Sequence, residues 1–184
     1  MTNSSSKGPS DTFPAIERLT KDHDPSSFDC GKPSLDGWLR RYALTNQQND
    51  SARTYVAARS GTVVGYYSLT AGSVQRDASP ARVAKGLVAH PIGVILLARL
   101  AIDRREQGTG LGKALLIDAL SRAADAADSI GARAILVHAI DEEAVSFYKK
   151  FGFEPSPLEP KQLMLLMKDL RATLKSLGHR TIDI

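Results

Sequence analysis

The stretch VILLARLAIDRREQGTGLGKALL, residues 94–116, decides the fold. Residues 94–102 are a continuous apolar run broken only by Arg99, which is how a strand buried on both faces reads. After the glycines, Leu111, Leu115, Ala119, Ala123, Ala126 and Ile130 fall along one side of a helix over roughly 110–130, and Gly131 supplies its stop. The junction is Arg105-Glu106-Gln107-Gly108-Thr109-Gly110-Leu111-Gly112-Lys113. Glycine lets a backbone turn tightly and approach a ligand with no side chain in the way. Free N–H groups at a helix start, reinforced by the helix dipole, form an anion-binding concavity. Glycines at 108, 110 and 112 therefore predict a diphosphate cradle, with Arg104, Arg105 and Lys113 adding positive charge. A Walker A loop is excluded, because Lys113 is followed by Ala114 and no hydroxyl is available for magnesium. A dinucleotide fingerprint needs its third glycine one residue later. The plain alternative is a helix start whose glycines serve only the turn.

Working outward, residues 14–19 read as a first strand, and Leu35, Trp38, Leu39 and Tyr42 carry the spacing of an amphipathic helix. TYVAAR (54–59), a Ser60-Gly61 turn and VVGYYSLTAGSV (63–74) predict an antiparallel hairpin. Residues 75–91 read as a loop with one helical turn. ARAILVHAI (132–140) is a further buried strand. Asp141 then caps a short helix that carries Tyr148 and ends at Gly152. Phe153 and LMLLMKDL (163–170) supply the last strands. The order implies an α/β (α+β) fold with a mixed sheet of six or seven strands flanked by helices. One domain over 14–170 is expected, between a flexible tail at 1–13 and a frayed tail at 171–184.

With 184 residues and one cysteine, Cys30, the chain has a core large enough to need no disulfide, and a reducing cytoplasm is the expected compartment. No apolar run is long enough to span a membrane. Charge is unevenly spread. Residues 40–105 hold ten Arg and Lys against Asp50, Asp77 and Asp103, a net +7 where the whole chain has +4. That excess predicts either a polyanion-facing patch or a solvated surface.

Arg105-x-x-Gly108-x-Gly110 after an apolar strand resembles the coenzyme-A loop of the GNAT family of N-acetyltransferases, and DEEAVSFYKKFGFE (141–154) resembles that fold's later helix. FDCGKPSLDGWLRRYALTNQ, VVGYYSLTAGSV and LMLLMKDL extend the likeness to the acetyltransferase toxins of type II toxin–antitoxin modules. The resemblance implies acetyl-CoA as cofactor, aminoacyl-tRNA as acceptor through its α-amino group, and arrested translation. It also implies a ribbon-helix-helix antitoxin, operator DNA reached through that antitoxin, and a homodimer. A housekeeping acetyltransferase for a small amine or protein N-terminus, and a non-catalytic CoA-binding co-repressor, are the alternatives.

The same resemblance implies roles. The pantetheine arm would lie along Leu100, Ala101 and Ile102, where a backbone N–H would also stabilise the oxyanion. Arg104, Arg105, Gln107, Gly108, Thr109, Gly110, Leu111, Gly112 and Lys113 would hold the cofactor, and no metal is implied. Tyr148 matches the acid that protonates the departing thiolate. The central strand has no Asp or Glu to serve as base. That suits an α-amine, ordinarily near about 8, better than a lysine near about 10.4. His138 is either a proton acceptor or a hydrogen-bonded core histidine. Arg99 either reaches an anionic acceptor or pairs internally, and Arg40, Arg41 and Arg53 either meet tRNA phosphates or are simply solvated. Phe147, Cys30, Trp38 and Tyr42 read as packing residues.

Overall fold

The structure is a computed structural model describing residues 13–179. Of the two expected tails, residues 1–12 and 180–184 lie outside the described residues. The apolar run around 94–102 forms β4 (Ile92–Ile102), the middle of a seven-stranded sheet. Before it come β1 (Ile16–Arg18), β2 (Arg53–Arg59) and β3 (Thr62–Val74); after it come β5 (Ala134–His138), β6 (Glu154–Pro155) and β7 (Gln162–Leu166). The spatial order is β1-β2-β3-β4-β5-β7-β6, and every neighbouring pair is antiparallel except β4 with β5. The β2–β3 hairpin turns through Ser60 (φ 49°) and Gly61 (φ 82°). Positive φ at both central residues matches the twist of the flanking strands.

Alternation along the strands sorts the side chains onto two faces. Ile95 and Leu97 join the core beneath α4 (Leu111–Ile130), α5 (Glu142–Lys149) and α6 (Met167–His179), whereas Val94 and Leu96 point the other way. That second face is covered by α1 (Pro33–Arg41), α2 (Ala43–Gln48) and the single turn α3 (Ala81–Ala84). Eight side chains of α4 are buried, Leu111, Leu115, Leu116 and Leu120 completely. Each such leucine contributes about 2 kcal/mol of transfer free energy, so this helix anchors the sheet from below. It lies close to β3 at Gly65, where an added Cβ would fall 2.8 Å from Leu115 Cδ1.

Four expectations are corrected. The run LMLLMKDL is not one strand: β7 ends at Leu166 and α6 starts at Met167, continuing through His179, so the expected boundary at 170 falls inside a helix. Met167 and Leu170 are buried and Leu174 partly so, a helical spacing that packs against α4, and Arg171 pairs with Asp128 at 2.6 Å. Tyr42 is 54% exposed, because the chain breaks between α1 and α2 at that residue (φ −121°, ψ −26°) and the helical face ends with Leu39. Ile130, the last residue of α4 before its Gly131 stop, is 71% exposed. His138 is likewise exposed rather than buried, because the pairing with β4 ends one residue earlier, at Val137, and only Gln162 of β7 lies beside it.

Candidate active site

The site is made by a parallel pair that comes apart. β4 and β5 are in register from Val94↔Ala134 to Leu97↔Val137, and there the pairing stops. On its other side, β4 carries a bulge: Ser68 of β3 faces Arg99 and Leu69 faces Leu97, which leaves Ala98 without a partner residue. A bulge bends its strand and increases local twist, and this one sits where the two strands diverge. β4 runs on to Ile102, while after His138 the other chain turns away into α5. The resulting cleft, roughly 450 Å³, has Leu100, Ala101 and Ile102 on one wall and Ile140, Asp141 and Tyr148 on the other.

The glycine loop closes one end of this cleft, and a buried carboxylate organises it. Asp103 is 2% exposed; it accepts the N–H groups of Arg105 (2.9 Å) and Asp29 (3.0 Å) and a two-pronged contact from the Arg105 guanidinium (2.7 and 2.9 Å). The Arg105 side chain, against some opposition from burial, holds the Asp103 carboxyl down at about 2, helped by the two backbone donors. Gln107 donates its side-chain amide to the carbonyls of Ile102 (2.9 Å) and Cys30 (3.1 Å), tying the loop to both β4 and the segment before α1. Gly108 (φ 77°) and Gly110 (φ 93°) then take left-handed conformations that only glycine adopts freely, and Gly110 delivers the chain into α4. No side chain caps that helix. Its first N–H groups, which no helix can satisfy internally, face the loop.

Several of the expected cofactor residues therefore meet at the cleft: Leu100, Ala101, Ile102, Gln107, Gly108, Gly110, Gly112 and Lys113 all line it. Others do not. Arg105 is committed to Asp103, and the Arg104 guanidinium lies 3.5 Å from Asp29 and against Gly31. The Thr109 hydroxyl donates to the Glu106 carbonyl at 2.6 Å, and the Leu111 side chain is buried in the core.

Tyr148 lies on the opposite wall, 7% exposed, its ring against Phe147 (5.2 Å) and Phe153 (5.4 Å). Its hydroxyl has no hydrogen-bond partner among the described residues, and burial pushes the phenol well above its ordinary range. Phe147 packs as expected and also lines the cleft. Cys30 lines it too, but burial pushes its thiol up to about 12, so the sulfur is no thiolate at neutral pH.

Two cleft residues were not expected at the site from the sequence. Lys32 and Asp141 form an ion pair of 2.8 Å across the cleft. Asp141 also accepts the Ala144 N–H at 2.8 Å as the cap of α5, the one role its position in the sequence reveals.

The basic residues of 40–105 do not form one free patch. Arg59 pairs with Glu106, Arg82 with Glu154 and Asp169, and Arg105 with Asp103. Arg53 is engaged by Asp50 (2.6 Å) and the Gln47 carbonyl (3.0 Å). Arg40, in the last turn of α1, gives one donor to the Phe28 carbonyl at 2.7 Å, and its neighbour Arg41 is exposed with no partner among the described residues. Arg99 stands apart. Its guanidinium lies 4.1 Å from the centre of the Trp38 ring, and burial lowers its proton affinity somewhat. It borders a small recess that also reaches Tyr148. No cluster of metal-ligating side chains occurs among the described residues, and no described helix is long and apolar enough to cross a membrane.

Known proteins share this fold. The model of the acetyltransferase (GNAT) domain matches residues 50–155. A tRNA-acetylating toxin of Mycobacterium tuberculosis is 51% identical over 162 residues, covering 88% of this chain and 97% of that protein. AtaT complexed with acetyl-methionyl-tRNAfMet superposes with a TM-score of 0.80 at 32% identity, over 86% of this chain and 97% of that one. A mutant of AtaT bound to acetyl-CoA and to the C-terminus of the antitoxin AtaR superposes with a TM-score of 0.75 at 30% identity, over 88% of this chain and 97% of that one. A matched domain model over more than half the chain, on the sheet and loop described above, leads to one conclusion: this chain belongs to the GNAT family of acetyltransferases.

Proposed function

We propose that this protein is a toxin that moves the acetyl group of acetyl-CoA onto the α-amino group of aminoacyl-tRNA and so stops translation in the cytoplasm. A ribbon-helix-helix antitoxin neutralises it, the complex reaches operator DNA through that antitoxin, and the toxin itself is a homodimer. The observation that carries the reading is the opening between β4 and β5, which has the glycine loop at one end and the Arg99 recess bordering Tyr148. Such a channel fits a long donor with a diphosphate at one end and a small acceptor at the other. The chain's residues suit that donor. The edge of β4 beyond Leu97 has no strand beside it on the β5 side, the helix start offers free N–H groups, and Lys113 is exposed at the cleft. Bound acetyl-CoA supplies the activated acetyl group.

In this reading Leu100–Ile102 orient the arm through their backbone, and Gln107, Gly108, Gly110, Gly112 and Lys113 hold the diphosphate. Tyr148 keeps its proton at neutral pH because burial disfavours its anion, and it gives that proton to the departing sulfur. Arg40, Arg41, Arg53 and Arg99 contact the acceptor nucleic acid. Incubating the protein with labelled acetyl-CoA and total aminoacyl-tRNA tests the proposal. Label recovered as N-acetylaminoacyl-tRNA is the expected result, and label found only on small amines or protein N-termini refutes it. Neutralising Arg40 and Arg41 should weaken tRNA binding and flatten its salt dependence.

A further inference from the structure

We infer that His138 is the base that removes the proton from the acceptor's ammonium group, a role that rests on the acetyl transfer proposed for this same cleft. The argument starts with the alternation of β5. Ile135 and Val137 point into the core that contains Tyr148, and Ala134 and Leu136 point to the other face. His138, next in the series, therefore projects from the face opposite α5, one residue past the last β4–β5 pair at Leu97↔Val137. Arg99, stacked on Trp38 of α1, projects from that face as well. The two border a recess of about 50 Å³ that passes between the strands and reaches Tyr148. A single water needs roughly 10–15 Å³ of such accessible space, so the recess has room for an amino group. An acceptor amine entering from the α1 face meets His138 on one side and Tyr148 ahead of it.

Chemistry selects the imidazole from the remaining side chains. Leu35, Leu100 and Ile140 line the recess without a titratable atom. The charged or titratable groups that share it with His138 are Arg99 from β4 and Tyr148 from α5; across the sheet its neighbour on β7 is the uncharged Gln162. Arg99 has no lone pair to offer, and the buried phenol is already protonated. The nearest carboxylates of the cleft are occupied: Glu106 by Arg59, and Asp141 by Lys32 and the start of α5. Glu143 lines the cofactor end of the cleft and not the recess. His138 is exposed and its imidazole has no hydrogen-bond partner among the described residues, so a ring nitrogen is free to accept a proton and water can carry it away. The Arg99 charge acts in the same sense on a bound ammonium and on an imidazolium, and so drives the proton in neither direction.

The step balances. One N–H bond of the ammonium breaks and its proton goes to the imidazole. The nitrogen keeps the electron pair and forms the bond to the acetyl carbon. The carbon–sulfur bond breaks, and sulfur leaves with its electrons and takes the Tyr148 proton. The second proton shed by nitrogen restores Tyr148 through water, and His138 returns its own to bulk solvent, one proton released per turnover.

The test compares wild type with His138→Gln and His138→Ala under saturating acetyl-CoA, on aminoacyl-tRNA. Both variants should lose about 100-fold in kcat at neutral pH, the usual share of a general base, with acetyl-CoA affinity and melting temperature unchanged. Free imidazole should restore much of the rate to His138→Ala and none to His138→Gln, and the rates of both should climb with pH through the alkaline range. Wild-type kcat in His138→Gln overturns the inference. So does a slow His138→Ala with an unaltered pH profile and no rescue, because that describes a structural residue. If wild type acetylates other amines and not aminoacyl-tRNA, the acceptor reading fails by itself and the same comparison on the active amine decides His138. Wild type inactive on every amine overturns both.

Discussion

The ammonium of Lys32 and the carboxylate of Asp141, 109 positions apart in the chain, meet at 2.8 Å across the cleft between β4 and α5. Asp141 has a second task, because its other oxygen accepts the Ala144 N–H and starts the helix that carries Tyr148. The hydrogen bond from Lys32, then the one from Ala144, holds its carboxyl below the ordinary range.

Those two tasks separate by mutation. Asp141→Ala removes a helix cap and should cost about 1 kcal/mol in denaturant unfolding. Lys32→Met breaks only a solvent-screened pair and should leave the unfolding midpoint where it was. Equal losses in the two variants would mean that the ion pair, and not the cap, supports α5.

Tyr148→Phe should lower kcat by at least about 100-fold if the phenol is the acid. Its hydroxyl has no partner among the described residues and its ring is held by Phe147 and Phe153, so fold and acetyl-CoA affinity should stay near wild type. Because burial raises the phenol, its loss of the proton should contribute no alkaline limb to the rate near neutral pH. Calorimetry with acetyl-CoA beside a pH–rate profile checks both statements, and a fully active variant removes the assignment.

Asp103→Asn should loosen the glycine loop, weaken acetyl-CoA binding and cost about 2 kcal/mol at neutral pH. The sign follows from the carboxyl, held at about 2 against an ordinary 3.8. A depressed acid stabilises the fold above its unfolded value, and that contribution fades as pH falls toward about 2. The stability gap between wild type and variant, measured by urea unfolding, should therefore be widest above pH 4 and close in stronger acid. A gap that is constant with pH would point to a packing defect.

Gly110→Val should reduce acetyl-CoA affinity while the domain stays folded. The residue has φ 93° and an added Cβ would lie 3.2 Å from the Phe13 ring, so the substitution distorts the entry to α4 at an exposed loop. Gly108→Val tests conformation with less crowding, since nothing lies within 4 Å of its Cβ position. Unchanged binding in both would detach the loop from the cofactor.

Ending the chain after residue 170 should unfold the domain or lower its melting temperature sharply, because α6 runs to His179 and packs on α4. Leu170→Ala, at a fully buried position, should cost about 2–5 kcal/mol. A truncated chain as stable as the full one would show that the last turns of α6 contribute nothing to the core.

Local order decided what could be read without coordinates. The buried strand, the glycine junction, the long helix behind it, the Ser60-Gly61 hairpin turn and the cap at Asp141 are all contacts between near neighbours, and periodicity and backbone freedom specify them directly. The end of β7 was not legible. An apolar run is equally consistent with a strand and with the buried side of a helix, and only packing against α4 makes Met167 and Leu170 helical. Tertiary structure alone decided the cleft. Register with β5 ends at Leu97 because of a bulge and a turn far apart in sequence, and that parting exposes His138, aims Arg99 at Trp38 and brings Lys32 to Asp141. It also settled Arg105, which carries the family motif but spends its charge on Asp103, since a charge finds the partner that folding places beside it.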